Sequence, residues 1–499
     1  MTSDFDWLPE DFDWLPDGSL CLVSLKQDRY ARISGDLKNQ AVNDRRSPTE
    51  RDIGRVTYSP FLRRLGGVAQ IVSPTLKHAT IHNRLTHSQK VSLLAKEIAS
   101  DLLRRAREDD QTVLLDRILQ LGGIDISACA AAGLAHDIGH APFGHSTEKT
   151  FDNWLRDIGD PDGFEGNAQT IRVAALLDSS PGGNFGLELT HVTLSALMKY
   201  PHGRSGGKKF SVYSDPPEIL QRARTAIPVS DSIGPLRDSI RQSIEANIVD
   251  LSDDITYATH DLQDFIQAGI LNVSPVIEQL QVAALTLKDY RIEDLTQDRG
   301  HSPIVSKAIE LNTLNPEDFP ASAFSRAIAA TTAILKRIRD GEPGFDLDVE
   351  DGHQLLQQIF SAFIGSVVNT IEVYPRALWK NGPLVRPSIH MWLVIQLMKL
   401  ISQRYIIESS TISIHEQAHK SVIAALLDAL IPWIVNASSR YELPTRLHIY
   451  LIEQGRPDAD SPAMRRAVVD YLCSLTDDQC DDLRRKLTGL SLPSIETSY

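Results

Sequence analysis

Residues 126–148 read ISACAAAGLAHDIGHAPFGHSTE. The first ten, Ile126–Ala135, are apolar all round and mostly small, which predicts a buried helix packed closely by its neighbours. His136 and Asp137 follow at its end, so two metal-competent side chains leave a rigid element. Gly139, Pro142 and Gly144 then break the chain into a turn that carries His140, His145 and, just beyond, Glu148. Metal binding and acid/base chemistry are both open readings of this stretch.

Working outward, the pattern stays helical. In Ser88–Arg105 the apolar residues Val91, Leu94, Ala95, Ile98, Leu102 and Leu103 recur at three- and four-residue spacing. Thr147–Ile158 carries Phe151, Trp154, Leu155 and Ile158 on one side. Asn247–Ala268 and most of 322–490 also read as helices. Alternating strands are scarce, and a minor β-hairpin near Lys208–Tyr213 is the best candidate. Breaks at 178–186, 201–207 and 340–344 read as loops or insertion points. The expected fold class is all-α, a helical core with a C-terminal helical extension. At the other end, DFDWLPE (4–10) is repeated as DFDWLPD (11–17). Two short copies do not make a solenoid, and they read as an acidic tail bearing Trp7 and Trp14.

The chain has 499 residues, 42% of them hydrophobic and 23% charged, the balance of an ordinary globular protein. Cys21, Cys129, Cys473 and Cys480 are too scattered for a disulfide framework. The N-terminus carries no apolar signal segment, and the longest apolar stretch noted, 391–401, is too short to span a bilayer. A cytoplasmic location without membrane association is expected. The net charge of −14 argues against broad nucleic-acid binding. Against it, Arg51, Arg55, Arg63, Arg64, Lys77 and Arg84 form a basic segment, read either as a solvated helical face or as a phosphate pocket.

A lone His-Asp pair is weak evidence. It gains weight from His87, in HNRLTHS, and from Asp253, in LSDDITYATHD. Two imidazoles and two carboxylates form a mixed N/O set suited to a divalent ion such as Mn, Fe, Mg or Ni.

Together, RLTHS (84–88), HDIGHAPFGH (136–145), GFEGNAQT (163–170) and DDITY (253–257) resemble the HD-domain deoxynucleoside triphosphate triphosphohydrolases, with the bacterial dGTPases the nearest group. The similarity covers roughly 45–275. It divides the chain into an acidic segment (1–45), an HD core (46–275) and a helical extension (276–499). The resemblance implies hydrolysis of dGTP, or of other dNTPs, to deoxynucleoside and inorganic triphosphate. It implies His87, His136, Asp137 and Asp253 as metal ligands, with Mn or Mg the leading ions. It also implies His145 as the catalytic histidine with Glu148 as its acidic partner, and His140 near the phosphates. Gln70, Arg84, Asn167, Gln169, Tyr257 and Asp261 become substrate contacts. A homo-oligomer (tetramer or hexamer), a dNTP activator and a single-stranded DNA effector are further expectations of that kind. The sequence departs from the bacterial pattern in RRLGGVAQI and at His82-Asn83, which opens the base specificity.

The chemistry asks for such groups independently. Cleavage at an α-phosphate calls for a cation to neutralise charge and an acid near neutrality to protonate the leaving 5′-oxygen. Rival readings are another HD phosphohydrolase acting on monophosphates or cyclic nucleotides, an inactive nucleotide-binding scaffold, and a metalloprotease. The last rests on His415-Glu-Gln-Ala-His419, an H-E-x-x-H pattern, with Glu442 downstream.

Overall fold

The computed structural model describes residues 12–33, 44–70, 82–108, 112–178, 186–231, 234–235, 240–289, 302–341, 350–407, 410–455, 457–458 and 460–490. Helices dominate them, and strands form only three small antiparallel groups, so the all-α expectation holds. The centre is a trio of mutually packed helices: Arg84–Glu108, Ile126–Ala135 and Ile244–Gln267. Asp125 caps the small-residue helix by accepting from the Ala128 N–H at 2.7 Å. Its lack of bulk lets it lie almost backbone to backbone against the first helix. A Cβ on Gly133 would come within 2.8 Å of Ser92 Cα. Ser92 Oγ also donates to the Ala130 carbonyl at 2.7 Å.

The hairpin expected at Lys208–Tyr213 does not form. The Ser211 N–H donates back to the Tyr200 carbonyl at 2.9 Å, and the Ser211 hydroxyl accepts from the Tyr200 N–H. Phe210 and Tyr213 bury their rings against Ala168, so this segment is a wrapped loop. The strands lie elsewhere. Phe12–Trp14, in the second DFDWLP copy, pairs with Leu20–Leu22, which pairs with Gly123–Ile124. That copy is therefore built into a sheet, with Arg107 3.7 Å above the Trp14 ring. The first copy, with Trp7, lies outside the described residues.

C-terminal helices reach back onto the core. Asp470, fully buried on the helix Pro462–Leu472, accepts from Arg172 Nη2 at 2.8 Å and from Gln169 Nε2 at 2.8 Å. Asp160 accepts from Arg466 Nη2, also at 2.8 Å. Among the described residues one helical stretch, Ser413–Asn436, is long and apolar enough by composition to cross a membrane, unlike the shorter stretch picked out in sequence. Its helix packs on those of His145–Arg156 and Asp477–Leu487.

Removing one partner of a buried ion pair costs about 3–5 kcal/mol, because the other charge is left stranded. Asp470→Ala is expected to lose stability on that scale in urea denaturation, and a change under about 1 kcal/mol would place the pair with the weak surface bridges.

Candidate metal and acid/base site

The trio of helices delivers the first group of side chains. His87 comes from the first turn of Arg84–Glu108, His136 and Asp137 from the end of Ile126–Ala135, and Asp253 from the middle of Ile244–Gln267. Ligand atoms of His87, His136 and Asp137 all lie within 4.8 Å of one another. Asp253 Oδ1 joins them, 3.1 Å from His87 Nε2 and 3.7 Å from His136 Nε2. Asp254 turns away to Lys399 at 2.6 Å, so only the first of the two consecutive aspartates reaches the histidines.

The donor set fits an ion. His136 Nδ1 donates to the Gly133 carbonyl at 2.8 Å, leaving the Nε2 lone pair facing the cluster. That Nε2 is buried and has no hydrogen-bond partner among the described residues, a costly arrangement unless something else satisfies it.

Asp137 is the junction between this group and the next. Its Oδ1 lies 3.4 Å from His136 Nε2 and 3.2 Å from His140 Nδ1, while Oδ2 accepts from Arg84 Nη1 at 2.8 Å. Burial alone would push its carboxyl up, but His140, His136, Arg84 and His87 hold it below the usual carboxylate range. His140 is pushed down from 6.5 to about 3 by burial. It is therefore uncharged near neutrality, and the permanent cation facing Asp137 is Arg84.

The turn after His140 aims the last pair. Phe143 (φ 63°) and Gly144 (φ 66°) are consecutive left-handed residues. They reverse the chain so that the helix His145–Arg156 starts at the cavity mouth. Gly139 is needed for another reason, since a Cβ there would sit 2.0 Å from the Thr170 backbone nitrogen. His145 is 67% exposed, and its Nδ1 lies 3.0 Å from Glu148 Oε2. Burial opposes ionisation of Glu148, but His145, His140 and Lys209 hold its carboxyl below the usual range. An ionised carboxylate only accepts, so the His145 proton sits on Nδ1 and Nε2 is free to exchange one.

A cavity of about 230 Å³ joins both groups. Gln70, Arg84, Asn167 and Tyr257 line it as expected from sequence, along with the histidines. Gln169 does not. Its amide is taken up at both ends, donating to Asp470 and accepting from the Tyr213 hydroxyl at 3.2 Å, so it braces the wall. Asp261 is not among the lining residues either. It is buried, and burial with Asp264 and Asp253 nearby pushes its carboxyl well up.

The basic segment is corrected more broadly. Arg51 and Arg55 donate to the carbonyls of Arg46 and Leu187. Arg64 donates to those of Leu475, Ile138 and His140. Only Arg84 of this segment lines the cavity, and Lys77 lies outside the described residues. The cations that do line it, Lys199 and Lys209 with Tyr200 beside them, went unnoticed in sequence. Lys199 Nζ bridges Asp250 at 2.7 Å and Asp253 at 3.0 Å. A sequence cue existed in Lys-Tyr-Pro-His-Gly, basic and aromatic residues at a helix end before a loop, but nothing in the spacing tied it to the histidines.

The profile of the HD domain family matches residues 84–258, the span from Arg84 to just beyond Tyr257. Over that span the chain is similar to the HD domain family. It is 28% identical over 468 residues to a deoxyguanosinetriphosphate triphosphohydrolase-like protein of Corynebacterium efficiens, covering 90% of this chain and 93% of that one. A protein of the same description from Streptomyces coelicolor is 27% identical over 464 residues, 89% of this chain and 93% of its own. One from Corynebacterium glutamicum is 35% identical over 264 residues, about half of each chain at 51% and 54%.

C-terminal residues hold the HD-domain turn in place. Asp477 Oδ2 accepts from the Ala69 N–H at 2.9 Å and its Oδ1 from the Phe143 N–H at 2.7 Å. One carboxylate thus ties the segment bearing Gln70 to the turn bearing His140 and His145. The HEQAH pattern lies inside the helix Ser410–Asn436 and, among the described residues, converges on no comparable cluster. Glu416 pairs with Lys420 at 3.4 Å, His419 stacks on Phe143 at 4.5 Å, and Glu442 accepts from the Ser438 N–H.

Two outcomes are expected. His136→Ala weakens divalent-ion binding by at least about tenfold, the lower end of the loss seen when a metal centre is perturbed, whereas His415→Ala leaves the calorimetric titration unchanged. Second, His140 remains neutral in the folded HD domain down to about pH 3 but takes a proton near 6.5 once unfolded. The unfolded chain binds more protons in that window, so stability falls as the pH drops through it. Urea midpoints at pH 7 and pH 5 are expected to differ less in His140→Asn than in the wild type.

Proposed function

We propose that the chain is a divalent-metal-dependent deoxynucleoside triphosphate triphosphohydrolase, with dGTP among its substrates, releasing deoxynucleoside and inorganic triphosphate. The observation that carries this reading is the division of one cavity: a His/Asp cluster on one side and the His145–Glu148 pair on the other. The names of the relatives support the substrate class.

A divalent ion such as Mn or Mg, held by His87, His136, Asp137 and Asp253, would neutralise phosphate charge and acidify the attacking water. The remaining groups act as follows. Lys199, Lys209 and Arg84 offset the triphosphate's negative charge. Water adds to the α-phosphorus as the bond to the 5′-oxygen breaks, and His145 delivers a proton to that oxygen. Glu148 keeps His145 oriented. Neutral His140 offers hydrogen bonding to the phosphate without adding charge, and Tyr257 faces the sugar.

Each of the four dNTPs and GTP, incubated with Mn or Mg, is expected to give free nucleoside and intact triphosphate from at least dGTP. A monophosphate with pyrophosphate, or no turnover, would falsify the reading. His145→Ala is expected to lower kcat by about 10²–10⁴, the usual weight of a general acid, with His415→Ala unchanged.

A further inference from the structure

Behind the catalytic turn lies a larger cavity, of about 820 Å³, that shares no lining residue with the first. It opens between the short helix Pro60–Arg64 and the C-terminal helices Thr445–Glu453 and Pro462–Leu472. Its size is that of a small-molecule site, and like such sites it is mostly apolar with a few convergent polar groups.

Those polar groups are mainly guanidiniums. Arg63 stands exposed at the mouth, and its side chain has no hydrogen-bond or ion-pair partner among the described residues. Among the described residues Arg446 donates to the Ser474 carbonyl alone, at 3.3 Å, with its guanidinium 5.7 Å from the Phe61 ring centroid. Arg64 is buried, and its bonds go to carbonyls alone. Two acids line the same space. Asp178 accepts from the Ser59 hydroxyl, and burial, with Asp470 nearby, pushes Glu453 up to about 7. Three guanidiniums thus share the cavity with these two acids, and that of Arg63 has no carboxylate partner among the described residues. Phe61, Tyr450 and Tyr471 give it flat, buried walls.

We propose that this cavity binds a small molecule with a flat aromatic ring and one anionic head, the head meeting Arg63 and Arg446 and the ring lying along Phe61 and Tyr450. Guanidinium forks suit a phosphate or a carboxylate equally, and aromatic walls favour a ring in offset or edge contact. The site is also connected to the HD centre. Arg64 lines the cavity while holding the carbonyls of Ile138 and His140, and Leu475 and Thr476 lead directly into Asp477. Occupancy thus stiffens the turn from behind, through Arg64.

The test is calorimetric titration of the full chain with two anionic probes, deoxyguanosine monophosphate and indole-3-acetate, and two neutral ones, deoxyguanosine and indole-3-ethanol. At least one anionic probe is expected to bind, and which one does separates phosphate from carboxylate ligands. Arg446→Glu and Arg63→Glu are each expected to weaken it at least tenfold, and exposed Arg63 keeps the test valid should Arg446→Glu misfold. Bound probe is expected to slow amide exchange across residues 138–145 in the wild type and not in Arg63→Glu. Failure of both anionic probes, equal binding by the neutral rings, or undiminished binding in the variants overturns the site. Binding without slowed exchange overturns the link to the turn. None of these readouts requires turnover, so they stand apart from the hydrolase assay.

Discussion

The closeness of two backbones governs this protein. The small-residue helix Ile126–Ala135 lies so near Arg84–Glu108 that a side chain at Gly133 would strike Ser92. That approach brings His87 within reach of His136, and both within reach of Asp253 on the third helix. Bulkier residues at Ala130 or Gly133 would push the helices apart by a side chain's thickness, more than the spread of the cluster's ligand atoms tolerates. The HD centre is therefore a packing result first and an electrostatic one second.

The electrostatics follow from it. Because Asp137 is buried between two histidines and Arg84, it stays ionised where burial would otherwise neutralise it. His140, buried beside the same carboxylate, stays neutral. One residue thus joins the His/Asp cluster to His140 and the turn beyond it within one cavity. The neighbouring Lys199 keeps three adjacent acids, Asp250, Asp253 and Asp254, from repelling one another unopposed.

The parts of this arrangement that were legible in sequence are those in which one short segment carries both structure and chemistry. The apolar run ending in His136-Asp137 announces a helix and what emerges from it, and the Gly/Pro turn announces the change of direction before His145. The basic segment misled because a count of arginines does not say whether they face a cavity or a carbonyl. Arg51, Arg55 and Arg64 do the latter. Gln169 misled in the same way, its partners Asp470 and Tyr213 lying far off in sequence. Lys199, Lys209, Asp470 and Asp477 were silent because each acts as a single residue, with no period or motif to mark it.

Asp477 has a consequence for how the protein comes into being. Chains fold broadly in the order they are made, and the HD segment emerges well before the carboxylate that joins Ala69 to Phe143. Until that late residue arrives, the turn carrying His140 and His145 lacks the hydrogen bond from the Phe143 N–H. The geometry of the turn is thus completed last, by a residue more than three hundred positions downstream.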